Sequence, residues 1–323
     1  VVVPDERIEV LKNMYNPKRT ISTGFEFTDI AGLVKGASTG EGLGNKFLSH
    51  IREVDAICHV VRCFDDGSII HVEGKTSPIR DIEIINLELM LADLEIINNR
   101  IDKMTKKVQT TKDKEGIKEL EVLRKSKEAL ERNIPLRLIN YTNEEIEVLK
   151  SYKFLTLKPI IYLANINEEN INNKNNNYIQ IVEEYAKKEG SKLIKICAKI
   201  ESELSELEEN DKQEMLKALG IKRSGLDQLI QTTYDLLNLA TFFTVGTDEV
   251  RAWTFKKGMN ARDCSGIIHS DFARGFIRAE VISYNDLINY GSELKVKEQG
   301  KARLEGKDYL MQDGDICHFR FNV

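Results

Sequence analysis

Apolar residues fall into three patterns along this chain. Continuous runs bounded by charge occur at 55–64 (DAICHVVRCF), 158–165 (KPIIYLAN) and 192–197 (KLIKIC). They predict buried parallel strands, because a strand covered on both faces loses the polar alternation of a half-exposed one. A helical pattern from Tyr178 to Lys188 separates the last two runs, so this part of the chain alternates strand and helix. The stretch Phe25-Glu26-Phe27-Thr28 predicts another strand, leading straight into Asp29. The opening Val-Val-Val-Pro-Asp-Glu-Arg reads as a strand end followed by a helix start, as though the chain began within a domain.

From Asp81 to Arg132 the chain is highly charged, and its apolar positions are spaced by threes and fours: Leu87, Leu91, Leu94, Ile97, Ile101, Met104 and Val108. That spacing places them on one helix stripe. The polar stretch Thr110 to Glu115 predicts a turn, and Ile117, Leu120, Leu123, Leu130 and Ile134 form a second stripe before Pro135. Two such helices bury their stripes by folding back as an antiparallel hairpin. This hairpin reads equally as a protruding arm for a large partner or as a helical insertion packed on its own domain. In a third region, beginning near Leu239, the runs at 242–245, 250–255, 276–282 and 316–321 predict strands. Turns at Lys257-Gly258 and Asp313-Gly314-Asp315 separate them, giving a small mixed β domain.

At 323 residues the chain has room for two or three domains, and 41 % hydrophobic with 31 % charged residues is an ordinary balance for packed cores. A net charge of −5 removes any global attraction to nucleic acid or anionic membrane, so an RNA contact would need a local basic patch. Cys58, Cys63, Cys197, Cys264 and Cys317 are dispersed, without a Cys-x-x-Cys pair or histidines at zinc spacing, and read as reduced core or loop thiols. There is no apolar run of eighteen residues, so no membrane partner is expected and the cytoplasm is the expected address.

Chemistry concentrates in residues 25–48, FEFTDIAGLVKGASTGEGLGNKFL. In Asp29-Ile30-Ala31-Gly32 the carboxylate of Asp29 is placed to hold Mg²⁺ through water, and the unhindered N–H of Gly32 to meet a γ-phosphate and release it after hydrolysis. The following glycines, with Gly24, supply the backbone freedom a mobile switch requires. A bare Asp-x-x-Gly also suits an ordinary turn. No Gly-x-x-x-x-Gly-Lys-Ser/Thr phosphate cradle occurs. Gly74-Lys75-Thr76 has Ile69 where the first glycine belongs, and Gly40-Glu41-Gly42-Leu43-Gly44 has the wrong spacing for a dinucleotide fingerprint.

The whole 25–48 string resembles the Obg-related branch of P-loop NTPases, and most closely the YchF (Obg-like ATPase) family. That resemblance implies an α/β P-loop NTPase core of the G-domain type, with an inserted helical hairpin and a C-terminal β-grasp module of the TGS kind. The runs Gly275-Phe-Ile-Arg-Ala-Glu-Val and Arg303-Leu-Glu-Gly-Lys-Asp-Tyr resemble that module. The expected division is 1–78 with 151–238 for the nucleotide domain, 79–150 for the helical insertion and 239–323 for the TGS domain. The resemblance further implies that a P-loop and a first switch lie upstream of Val1, so the polypeptide as written is expected to bind nucleotide poorly and hydrolyse almost none.

Asn165-Ile166-Asn167-Glu168 follows a predicted strand where guanine-specific relatives carry Asn-Lys-x-Asp. Ile166 and Glu168 remove the guanine clamp, and because adenine N1 would repel an ionised carboxylate, Glu168 is expected to turn aside. The Asn-x-x-Glu form resembles the YchF signature, which implies a preference for ATP over GTP, with Asn165 and the Ile166 backbone facing the adenine amino group. Cys197-Ala198-Lys199 occupies the place of the Ser-Ala-Lys loop behind the base, and the resemblance sets Phe64 beside the base or, equally, in the core. Leu33 stands where many GTPases have the water-orienting Gln, and the resemblance makes His71 the candidate in its stead. The ribosome, or another translation-related partner, is likewise implied by the resemblance. An Obg-type GTPase and a nucleotide-independent RNA- or protein-binding module remain alternatives.

Overall fold

The run at 158–165 becomes the middle strand of a parallel sheet in the computed structural model, which describes residues 1–30, 43–67, 75–111, 113–172 and 176–322. Two compact units make up the chain: Asp29–Gln228, and Val1–Thr28 together with Leu229–Val323. The chain opens with α1 (Glu6–Tyr15) and β1 (Arg19–Ile21). The 29–228 unit then runs through α2 (Leu43–Glu53), β2 (Ile57–Arg62), α3 (Pro78–Thr111), α4 (Lys114–Glu131), α5 (Asn143–Lys150), β3 (Ile160–Asn165), α6 (Asn177–Glu189), β4 (Lys192–Ile196), α7 (Ala198–Ser205) and α8 (Glu209–Ala218), and it ends within α9 (Gly225–Leu236). Thereafter come β5 (Leu239–Thr244), β6 (Glu249–Lys256), α10 (Ala261–Ile268), α11 (Ser270–Arg274), β7 (Phe276–Ser283), α12 (Tyr284–Tyr290), α13 (Glu293–Glu298), β8 (Arg303–Glu305) and β9 (Asp315–Phe321).

Strands β2, β3 and β4 pair in parallel in that order. The first five residues of β3 are buried, as the middle strand of a covered sheet requires. Val61, Tyr162, Ala164, Ile179, Val182 and Ile200 join in the core that α6 and α7 close over the sheet. The register sets Arg62 beside Asn165 and Asn165 beside Ile196, so all three strands finish at one edge.

The strand expected at 25–28 does not form: residues 25–30 lack regular secondary structure. A strand needs a ladder, and here the bonds run from Val3 N–H to the Thr23 carbonyl and between Phe25 and Val1, going no further among the described residues. Gly24 is fixed by this close approach, since a Cβ on it would fall 2.5 Å from the Val1 carbonyl oxygen.

The hairpin forms from α3 and α4, with the turn where the polar break falls. Ile97, Met104, Leu120, Leu123 and Leu130 are buried together, so most of both predicted stripes is a real seam, but Ile117, at the outer end of the α4 stripe, is exposed. Nearer the root the stripe rotates. Leu87 and Leu91 are exposed, while Ile82, Leu89 and Asp93 are completely buried, because this half of α3 packs on the sheet and the 154–156 segment rather than on α4. Asp93 accepts the N–H groups of Leu155 and Thr156 at 2.9 and 2.8 Å and the Thr156 hydroxyl at 2.8 Å, with the Arg52 guanidinium 3.8 Å away. A second tie uses a buried ion pair: Arg137 Nη2 is 3.1 Å from Glu189 Oε2, which also accepts from the Tyr162 hydroxyl at 2.8 Å.

In the other unit the sheet order is β1-β6-β5-β9-β7-β8. From β6 to β8 the C-terminal strands are ordered second, first, fifth, third, fourth, with β5 and β9 parallel and the hairpins antiparallel; this is the β-grasp arrangement. Adjacent Phe242 and Phe243 point to opposite faces. Phe242 packs with Ala261 and Cys264 of α10, whereas Phe243 packs with Ile8 and Leu11 of α1, Leu287 of α12 and Val296 of α13. Residues 1–28 therefore depart from the expected grouping with 29–78: α1 covers one sheet face and β1 extends the sheet by parallel pairing to β6. Gly275 is required at the end of α11, since a Cβ there would lie 2.2 Å from the Asn322 carbonyl oxygen. The cysteines are free thiols, and burial pushes Cys63 and Cys264 up to about 12, which keeps both protonated.

Replacing Asp93 with Ala strands two buried N–H groups and is expected to cost about 3 kcal/mol, read as a lower urea midpoint; a midpoint within error of the parent would sink the clamp. A pH dependence is expected in the other unit, where His318 Nε2 lies 3.2 Å from Glu293 Oε2 and Tyr15 donates its hydroxyl to the other oxygen at 2.6 Å. The hydrogen bond with Glu293 raises the imidazole pKa, and the same contact lowers that of the carboxylate. The imidazolium's contribution is complete below its unfolded value of about 6.5 and is lost as pH rises through the folded value; the carboxylate's is lost as pH falls below about 4.3. Thermal stability of this unit should decline as pH rises above about 6.5, and His318→Gln should flatten the decline.

Candidate functional site at the ends of the parallel strands

Each strand of the three-stranded sheet delivers a loop to the same edge, the place where open parallel sheets form ligand crevices. Phe64 follows β2, Asn165 closes β3, and Cys197 follows β4. Backbone bonds continue past the strands: Cys63 N–H reaches the Asn165 carbonyl at 2.8 Å, and Ile166 N–H the Ile196 carbonyl at 2.9 Å. The side-chain oxygen of Asn165 then accepts the N–H of Ala198, the first residue of α7, at 3.2 Å. This bond satisfies a helix N-terminal donor from outside, and Cys197 itself makes no side-chain cap. It also orients the amide: with the oxygen facing a backbone donor, the NH₂ end is left to donate elsewhere.

Glu168, exposed in the turn after Asn165, pairs with Lys199 Nζ at 2.6 Å. Ile166 is buried in the core, so its side chain cannot cover a base as a lysine stem would. Phe64 is half-buried under the Arg62 guanidinium, which sits 4.8 Å from its ring centre and donates Nε to the Phe64 carbonyl at 3.1 Å. Thr76 adds its hydroxyl to that carbonyl at 3.3 Å.

The structure thus brings Phe64, Asn165, Ile166, Glu168, Cys197, Ala198 and Lys199 to one edge. Asp29 is exposed on an irregular segment, and the adjacent Ile30 packs against Leu48, Ile51 and Leu89. Gly32, Leu33 and His71, with most of the glycine-rich string, lie outside the described residues. Among the described residues no cluster of three or more His, Cys, Asp or Glu could hold a metal. A single carboxylate is nevertheless what Mg²⁺ uses when phosphates and waters complete its octahedron, so Asp29 fits a water-mediated role and not an all-protein cage.

Two residues at this edge escape sequence reading. The asparagine tract at 170–177 looks like a loop with no chemistry of its own, yet Asn176 caps α6 by accepting Ile179 N–H and donates to the Cys63 carbonyl at 3.1 Å. An Asn directly ahead of a helical pattern was the available signal. Arg62 offered none, since its grip on Phe64 depends on the loop's path. A groove of about 600 Å³ lined by Asn86, Leu87, Met90, Ile134 and Tyr185 contains none of the sequence-predicted site residues.

A family model described as "50S ribosome-binding GTPase" matches residues 10–125, and the YchF GTPase C-terminal model, described as "Protein of unknown function (DUF933)", matches 239–322. The chain is 57 % identical over 324 residues to a protein of Bacillus subtilis named ribosome-binding ATPase YchF, covering 100 % of the chain and 88 % of that relative. A protein of the same name from Escherichia coli O157:H7 is 48 % identical at the same coverage. The solved structure of the Schizosaccharomyces pombe YchF GTPase superposes with a TM-score of 0.91 at 40 % identity, over 99 % of this chain and 86 % of that one.

The Asn165 contact makes a direct prediction. Asn165→Ala should accelerate amide exchange at Ala198 by about tenfold, the loss of one hydrogen bond, while β3 and β4 amides keep their protection. Unchanged exchange at Ala198 would show that the two loops are held by something else.

Proposed function

The chain belongs to the YchF family, and on that premise we propose that it is a Mg²⁺-dependent ATPase whose nucleotide state moves a switch against the ribosome, the partner named for its relatives. The observation that carries this reading is the tie between Asn165 and Ala198 at the carboxyl ends of β3 and β4. With its oxygen engaged, the Asn165 amide donates its NH₂ toward N7 of a purine, and the Ile166 carbonyl accepts the 6-amino group that adenine has and guanine lacks. Phe64, braced by Arg62, supplies an aromatic face to the ring. Ala198 and Cys197 form the wall behind it.

At the phosphate end Asp29 would hold Mg²⁺ through water, and the ion would neutralise charge developing on the phosphate oxygens. Gly32 meets the γ-phosphate through its N–H in this reading. Leu33 cannot orient water, so His71 is the candidate that does. No Walker A lysine occurs in the 323 residues, so no residue here is assigned that lysine's grip on the β- and γ-phosphates. With a ribosome as partner its expected address is the cytoplasm, and the hairpin of α3 and α4 is the element offered to that partner.

The solved relative from Schizosaccharomyces pombe is named a GTPase, which favours a second reading in which guanine is bound. Against it stand Ile166, whose side chain is in the core, and Glu168, whose carboxylate is engaged by Lys199. Isothermal titration decides between them on a polypeptide that also carries a Walker A segment. ATP should bind tighter than GTP by about tenfold or more, the scale of one unpaired polar group in a base site. Equal or reversed affinities would remove the adenine reading.

A further inference from the structure

We propose that Lys199 is a specificity-determining residue: by holding the Glu168 carboxylate in an ion pair it keeps that carboxylate off the purine edge, and so favours adenine over guanine. The inference rests on the base-site reading above and adds the cause of its selectivity. The loops after β3 and β4 are joined twice, by Asn165 to Ala198 and, three residues along one loop and one along the other, by Glu168 to Lys199 at 2.6 Å. Glu168 lies in the turn after β3 and Lys199 in the first turn of α7, the two segments that would frame the base.

Carboxylate chemistry at a purine edge is asymmetric. Guanine presents N1–H and a 2-amino group, two donors that a carboxylate accepts; adenine presents a bare N1 acceptor that it repels. A free Glu168 would therefore strengthen guanine binding and weaken adenine binding at once. Lys199 removes the carboxylate from that competition. Glu203, one turn further along α7, also favours the charged form of Lys199. Glu168 and Lys199 are both solvent-exposed, so their pairing is modest in strength and screened by salt.

Lys199→Met should shift the two affinities in opposite directions, GTP tighter and ATP weaker, each by about two- to fivefold. Lys199→Met combined with Glu168→Gln should return the ratio to that of the parent, since no carboxylate is then left to free. Raising salt from about 50 mM to about 500 mM should lower the parent's ATP preference and leave that of Lys199→Met almost unmoved. Adenosine and guanosine, titrated at millimolar concentration against the amide resonances of Asn165 and Ala198, report on the base edge without a phosphate grip. Equal weakening of both nucleosides by Lys199→Met would make Lys199 a structural residue and overturn the proposal. If neither nucleoside moves these amides in the parent protein, the base-site reading falls and the proposal with it.

Discussion

The register of three parallel strands is the constraint from which the rest of the 29–228 unit follows. With Arg62, Asn165 and Ile196 side by side, the chain must leave the sheet three times at the same edge, and the loops meet whether or not they attract one another. A slip of one residue would reverse every side chain of β3 and turn Asn165 away from Ala198. A strand buried on both faces has no polar pattern to fix its register, so the close packing of its side chains and the bonds beyond its ends must resist that slip. Bonds beyond the strand ends, from Cys63 and Ile166, carry the same register into the loops and limit how far they can open.

The hairpin is set on this platform by polar contacts rather than by its seam. That seam of Ile97, Met104, Leu120 and Leu123 makes α3 and α4 a unit, but says nothing about where that unit points. Direction comes from Asp93 gripping the 155–156 backbone and from Arg137 paired with Glu189, both withdrawn from water. Buried charged groups held by hydrogen bonds are costly to break and geometrically exacting. Tyr162 joins the second of these ties while lying three residues from Asn165 on β3, so the arm's root and the proposed base edge share one strand.

Nucleotide choice at the proposed base edge depends less on which groups are present than on which are already occupied. Asn165 has committed its oxygen to a helix N-terminus, Ile166 its N–H to β4, and Glu168 its charge to Lys199. What remains, an amide NH₂, a backbone carbonyl and an aromatic face, suits adenine.

Local pattern determined a good deal alone. The buried runs at 57–62, 160–165 and 192–196, the long helical pair with its turn, and the four principal strands of the C-terminal domain are all written in hydrophobic spacing, which acts over a few residues and needs no distant partner. The loop pairing Asn165-Ile166-Asn167-Glu168 with Cys197-Ala198-Lys199 was legible as motif. Tertiary structure decided whatever depends on who the neighbour is. Phe25 to Thr28 has the composition of a strand but lacks a ladder beyond Phe25 among the described residues, and α1 is amphipathic in any context yet covers the C-terminal sheet. Leu87 and Leu91 continue the helical stripe but face solvent, because the root of α3 answers to a different surface from its tip. Spacing fixes which residues share a face; only packing fixes what that face meets, since burial is a property of two surfaces and the sequence presents them one at a time.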